Sequence, residues 1–285
     1  MQDEDFSDAS LVLIGHGSTR NKDSALPVRQ HAAEIRRRGI FREVLEGFFI
    51  QDPAMTDTVR NATGRRVFIV PIFISEGYFT EEVLPTALGF CREGEQDFVR
   101  VQVRARQTVL YGRPIGTHPS MTRVILARAR EVAERFPFPR APKPSEITLF
   151  VAGHGTDKNE NSRQAIERHT ELIAKQRLYA DVQAAFMEEE PRIESCYERA
   201  ATKCVILVPF FISDGLHVRE DIPLLLGEPE SVVRERLQRG QPTWRNPTER
   251  KGKLLWFTPS VGSEPQIAEV ILERVREMVG NVPTT

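Results

Sequence analysis

Two tripeptides set the chemistry to look for in this chain: Gly15-His16-Gly17 and Gly153-His154-Gly155. An imidazole between glycines sits on backbone that can turn sharply and come close to a ligand. A neutral imidazole binds divalent metals and, with an unperturbed pKa of about 6.5, takes up protons near neutrality. A third imidazole, His217, closes the run Phe210-Phe211-Ile212-Ser213-Asp214-Gly215-Leu216. Carboxylates come from Glu188-Glu189-Glu190, between Phe186-Met187 and Pro191. Two imidazoles and one carboxylate, with a coordination position left open, suit Co2+, Fe2+, Ni2+ or Zn2+. They equally suit a base that accepts protons.

These residues belong to a chain that is written twice. An offset of 138 carries His16 onto His154, His31 onto His169, Phe48 onto Phe186, Pro53 onto Pro191, and Pro71 to Gly77 onto Pro209 to Gly215. A later block, Gly116-Thr117-His118-Pro119, matches Gly262-Ser263-Glu264-Pro265 at an offset of 146, so the second copy holds about eight extra residues. A repeat of this length is a duplicated domain rather than a solenoid unit. The copies differ where it matters. At the 138 offset His217 faces Phe79 and Glu188 faces Ile50. Neither phenylalanine nor isoleucine can ligate a metal. The second copy is therefore expected to carry the chemistry, with His154, His217 and Glu188 as its catalytic and metal-binding groups. The first copy, with His16, is expected to wall the site or recognise substrate. His31 and His169 lie about four helical turns beyond the Gly-His-Gly histidines and are read as packing residues.

The elements that must position these side chains alternate strand and helix. Leu11 to Ile14 is a continuous apolar run ending at glycine, the mark of a strand buried on both faces. A helix to Arg38, strands at 44–49, 67–71 and 99–103, and helices from about Pro53, at 80–88 and at 120–136 follow. The second copy repeats the order from Ile147, with its last strand at 254–257 and last helix at 266–278. This predicts an α/β fold of two tandem modules with parallel sheets flanked by helices. In such sheets ligands bind beyond the carboxyl ends of the strands, where His16, His154, His217 and Glu188 all fall. Four prolines between Pro137 and Pro144 make a stiff linker. The division is 1–137, a linker at 138–145, and 146–285. Residues 228–251 form an insertion expected to be partly helical beside the second sheet.

Composition bounds the partners. A net charge of −1 gives no drive toward nucleic acid or an anionic membrane. No apolar run approaches the roughly 20 residues of a membrane span. The start from Met1 to Asp8 is acidic and lacks a signal-peptide core. Three cysteines, Cys91, Cys196 and Cys204, form no CxxC pair and are read as buried or incidental thiols of a reducing cytoplasm.

Three segments together resemble the CbiX/SirB class of sirohydrochlorin chelatases: Gly-His-Gly-Ser/Thr, Ala185-Phe186-Met187-Glu188 before a proline, and Val208 to Pro223. The stretch His217 to Pro223 is the most specific. Pro114-Ile115-Gly116-Thr117-His118-Pro119 and Val261-Gly262-Ser263-Glu264-Pro265 are similar to the class's late LGxHP segment. The resemblance spans nearly the whole chain in two copies. It implies a class II chelatase fold, two flavodoxin-like modules facing across a cleft. It also implies ATP-independent insertion of Co2+, Fe2+ or Ni2+, as substrate, into a tetrapyrrole of cobalamin or siroheme biosynthesis, with no nucleotide. The family's two metal-site histidines fall on His154 and His217, and its glutamate on Glu188. Because sirohydrochlorin carries eight carboxylates, Lys158, Arg163 and Arg219 become candidate counter-charges, and His118 and Glu264 candidate substrate contacts. The partner is thus a tetrapyrrole, with no nucleic acid or membrane, and the chain a monomer or homodimer. Two competing readings are a non-catalytic metal or tetrapyrrole carrier, and a phosphate-handling hydrolase. The latter would need arginines around His154, and no Arg-His-Gly motif is present.

Overall fold

The computed structural model describes residues 5–19, 22–92, 97–155 and 160–280. The chain runs β1 (Ala9–Gly15), α1 (Leu26–Arg38), β2 (Glu43–Phe48), α2 (Met55–Arg60), β3 (Arg66–Pro71), α3 (Leu84–Ala87), β4 (Val101–Arg104), β5 (Gln107–Tyr111) and α4 (Met121–Arg135). It continues β6 (Ile147–Gly153), α5 (Asn161–Ala174), β7 (Asp181–Phe186), α6 (Cys196–Arg199), β8 (Cys204–Pro209), α7 (Ile222–Leu225), α8 (Glu230–Gln238), β9 (Thr248–Arg250), β10 (Lys253–Phe257) and α9 (Ile267–Gly280).

Each copy builds one five-stranded sheet, in the orders β2-β1-β3-β5-β4 and β7-β6-β8-β10-β9. Four strands of each are parallel, and the edge strands β4 and β9 run antiparallel to their neighbours. The apolar runs of β1 and β6 are buried at every residue. They lie between two parallel neighbours with helices on both faces, so no side of the strand meets water. The α/β expectation of two tandem modules holds. The antiparallel edge departs from an all-parallel sheet.

The first copy contains a strand, β5, that the sequence reading does not foresee, and the second likewise gains β9. For β5 the reason is the turn. Between β4 and β5, Ala105 takes the left-handed conformation (φ 52°) that glycine or asparagine usually signals. In the second copy Lys251 (φ 48°) shares the job with Gly252. The insertion becomes α8 and the segment leading to β9. Its Trp244 is buried in the second sheet's core with Phe257 and Val218.

The compact units cut across the repeat. One comprises Met1–His118 with Pro265–Thr285, the other Pro119–Glu264. The last helix of each copy thus packs on the other copy's sheet: α4 against β8 and β10, α9 against β3 and α1. Within the second unit Trp256, fully buried, donates its indole N–H to the Phe136 carbonyl at the end of α4 (2.9 Å). Trp256→Phe is expected to cost about 1 kcal/mol, read as a small fall in the thermal midpoint.

His31 and His169 are buried, His169 against Phe210 (ring centroids 5.1 Å), as packing residues should be. Burial pushes the Cys196 thiol up to about 12, so it stays protonated and unreactive at neutral pH. Among the described residues no helix is long and apolar enough to cross a membrane.

Candidate functional site

The site of the second unit forms where the first and third strands of its sheet end side by side. β6 and β8 are adjacent, yet β6 connects onward to the far side through β7. This is the switch point at which parallel sheets open a crevice. His154 follows β6 directly. Gly155 then turns the chain with φ 69°, and a Cβ there would meet the Glu189 side chain and Phe186. The turn is laced to the end of β7 by Glu188 N–H to His154 O (3.0 Å). His217 begins a single π-helical turn, His217–Asp221, ahead of α7. Such one-turn irregularities recur at functional positions.

The two imidazoles meet, with ring centroids 5.0 Å apart and planes at 81°. Each is held through Nδ1. His154 Nδ1 is 2.8 Å from the Gly155 carbonyl oxygen, and His217 Nδ1 is 2.6 Å from Asp221 Oδ2. A carbonyl or carboxylate oxygen only accepts, so both Nδ1 atoms are the N–H donors. In the neutral rings Nε2 then carries the lone pair on both, and the outer partner fixes the tautomer as it does in metal-binding histidines. The side chains are 36% and 49% exposed.

Glu188 is brought to the same edge, with Oε2 3.6 Å from His154 Nδ1 and the side chain 59% exposed. Its carboxylate thus lies at the backbone-bonded edge of the ring, away from Nε2. Among the described residues, no three His, Cys, Asp or Glu side chains are gathered closely enough to hold a metal. What the fold presents ready-made is the imidazole pair.

The first unit repeats the scaffold with different chemistry. His16 Nδ1 bonds the Gly17 carbonyl (2.9 Å), and Ile50 N–H bonds His16 O (3.1 Å). Phe79 stands where His217 stands, 4.9 Å from the His16 ring at 71°. Phe49 and Phe73 pack around Phe79, and Val83 replaces Asp221 at the 138 offset. Phe49, Ile50 and Tyr78 are exposed. His16 therefore sits in an aromatic edge, with no second imidazole beside it among the described residues.

The remaining candidates divide. Arg219, exposed, lines a cavity of about 420 Å3 with Asp214, Gln241 and Trp244; its far wall comes from the insertion. Arg163 is engaged with Glu167 (2.8 Å) and Glu189 (3.0 Å) and lies over the Phe186 ring, so its charge is already answered within the protein. His118 and Glu264, expected to touch substrate, are buried. His118 is paired with Glu273 and Glu277 of α9 (3.5 and 3.1 Å), and Glu264 with Arg128 of α4 (3.2 Å). Both serve the exchanged helices. Lys158 lies outside the described residues.

Asp221 was not singled out from the sequence. Its signal was there: a carboxylate four residues after His217, on the same helical face, and opposite Val83 in the other copy. Asp221→Asn is expected to lower turnover by about 10- to 100-fold, the usual range for a residue that orients a metal-binding imidazole. Steady-state rates at saturating metal would check it.

Both copies of the chain are similar to known proteins. The CbiX family model matches residues 10–132 and again 148–278. A probable sirohydrochlorin cobaltochelatase of Halobacterium salinarum is 36% identical over 278 residues, covering 94% of this chain and 91% of its own. The sirohydrochlorin cobaltochelatase of Methanopyrus kandleri is 29% identical over 142 residues, 98% of its length but 47% of this chain. Among solved structures, a multi-domain protein of Deinococcus radiodurans described as similar to chelatases superposes with a TM-score of 0.74 at 31% identity. It covers 93% of this chain, which spans 54% of that protein.

Proposed function

This chain belongs to the CbiX family, and on that premise we propose that it is a chelatase inserting a divalent metal, Co2+ in particular, into sirohydrochlorin through His154 and His217. The observation that carries this reading is the imidazole pair. Two partly exposed rings lie 5.0 Å apart, and each has Nδ1 engaged, which leaves Nε2 as its lone-pair nitrogen. Two imidazoles hold a borderline divalent ion, yet leave most of its coordination sphere open to the incoming tetrapyrrole.

The reaction exchanges two pyrrole N–H protons for the metal. As the macrocycle nitrogens take Co2+, each Nε2 that releases it becomes a base able to accept one of those protons. No nucleotide is needed, because forming four metal–nitrogen bonds drives the exchange. Glu188, exposed beside His154, completes the metal site after a change of rotamer. Arg219, beside the cavity built by the insertion, is the counter-charge for a peripheral carboxylate of the macrocycle. In the first unit we assign His16, within its aromatic surround, to substrate recognition rather than to metal binding. We place the protein in a reducing compartment, the cytoplasm, where its free cysteines persist as thiols.

The test is direct. Purified protein is incubated with sirohydrochlorin and Co2+, Ni2+ or Fe2+, and insertion is followed by absorbance. Acceleration over the uncatalysed rate, greatest with Co2+, is the expected result. Tight binding of the tetrapyrrole with no acceleration by any metal would identify a carrier instead.

A further inference from the structure

We infer that Asp214, backed by the buried Arg128, is a positioning residue that sets His217 against His154; this rests on the proposed chelatase site. Asp214 lies three residues before His217 in the loop leaving β8. Its carboxylate accepts from the Ser260 backbone N–H (2.6 Å) and from the Ser263 hydroxyl (3.0 Å). Ser260 and Ser263 belong to the late loop after β10, and that loop is itself gripped from behind. Arg128 of α4, its side chain only 7% exposed, donates Nε to Ser260 O (3.1 Å) and Nη2 to Ser263 Oγ (2.8 Å). Glu131 and Glu264 balance its charge (2.8 and 3.2 Å). A continuous chain of bonds therefore runs from the α4 helix through the late loop to the segment that presents His217. The ring's own bond to Asp221 orients it, whereas Asp214 fixes where its backbone stands.

The first unit supplies the internal control. Its arginine clamp is intact: Arg274 of α9 bonds Pro114 O (2.8 Å) and Thr117 Oγ1 (2.7 Å), with Glu277 alongside (2.6 Å). At the 146 offset Arg274, Pro114 and Thr117 answer Arg128, Ser260 and Ser263. Only the last link is broken. Proline has no N–H to donate, and Glu76, which answers Asp214, turns instead toward Arg113 (3.7 Å). The clamp occurs in both copies, so it serves the fold. The carboxylate-to-loop bond occurs only in the copy that kept His217 and Asp221 rather than Phe79 and Val83. A link lost together with the imidazole it would support belongs to the site, not to the scaffold.

The natural difference is also the experiment. Ser260 has φ −62°, which proline adopts unstrained, so Ser260→Pro deletes the N–H while keeping the carbonyl that Arg128 holds. Asp214→Ala removes both acceptor oxygens and decides the matter if the proline variant does not fold. Each is expected to lower kcat for Co2+ insertion about tenfold, with KM for the tetrapyrrole changed less than twofold and the thermal midpoint nearly unmoved. Pro114→Ser in the first unit should leave kcat unchanged. Imidazole nitrogen NMR without metal or substrate should show one sharp His217 ring in the wild type and exchange-broadened signals in both variants. Unchanged kcat and an unchanged His217 spectrum in the two variants would overturn the inference. A wild type that inserts no metal would instead sink the chelatase reading, and the NMR comparison would still judge the positioning role.

Discussion

Replacing His217 with alanine is expected to reduce metal insertion by about 10²- to 10⁴-fold, the range for losing a positioned base. His154→Ala should fall in the same range, because neither ring can hold the ion alone. The argument rests on geometry. Asp221 and the Gly155 carbonyl consume both Nδ1 protons, so the two Nε2 atoms are the groups left for metal and proton. The asymmetry of the copies sharpens the prediction. His16 has the same backbone-bonded ring but faces Phe79 at 4.9 Å, which offers neither lone pair nor charge. His16→Ala should therefore keep kcat within a few-fold and act on KM. Steady-state kinetics of the three variants with Co2+ and sirohydrochlorin would separate these outcomes. Full activity in His217→Ala combined with loss in His16→Ala would transfer the site to the first unit.

The second large effect is structural and local. Gly262→Ala should destabilise the second unit by about 3 kcal/mol or more, roughly 6–12 °C in thermal midpoint. Gly262 approaches so closely that a Cβ would fall onto the Ile212 carbonyl oxygen, while its N–H bonds Phe211 O (2.9 Å). The obstacle is backbone, which cannot swing aside as a side chain can. Because Ile212 lies in the segment leading to His217, activity should fall further than folding alone explains. Gly116→Ala is the matched variant, since its Cβ would strike the Ile74 carbonyl in the same way. It should weaken the first unit while leaving the imidazole pair in place. Scanning calorimetry beside the insertion assay would resolve both. Equal loss of insertion at unchanged stability in both variants would contradict the assignment of the site to one unit.

Much of the fold was legible because its signals are local. Continuous apolar runs such as Leu11 to Ile14 and Leu149 to Ala152 mark strands buried on both faces, and the glycines after them mark the turns at which ligands are met. β5 was not legible because its hairpin turn uses Ala105 at positive φ in place of a usual turn residue, and β9 because its three residues, Thr248–Arg250, are polar and none is buried. His118 and Glu264 looked like loop residues available to substrate. The exchange of α4 and α9 between copies buries them, and nothing in their own neighbourhood of the chain announces helices more than a hundred residues away in sequence or from the other repeat.

The sequence alone determined that the protein is duplicated, and that one copy kept His154, Glu188 and His217 where the other holds His16, Ile50 and Phe79, because residue identity at matched positions is a property of the chain itself. Tertiary packing settled that both imidazoles are engaged through Nδ1, that Glu188 lies at the Nδ1 edge of His154, and that Arg128, written in the first copy, steadies the loop beside the second copy's site. Hydrogen-bond direction and helix exchange depend on which distant groups the fold brings together, and that is settled by packing rather than by spacing along the chain.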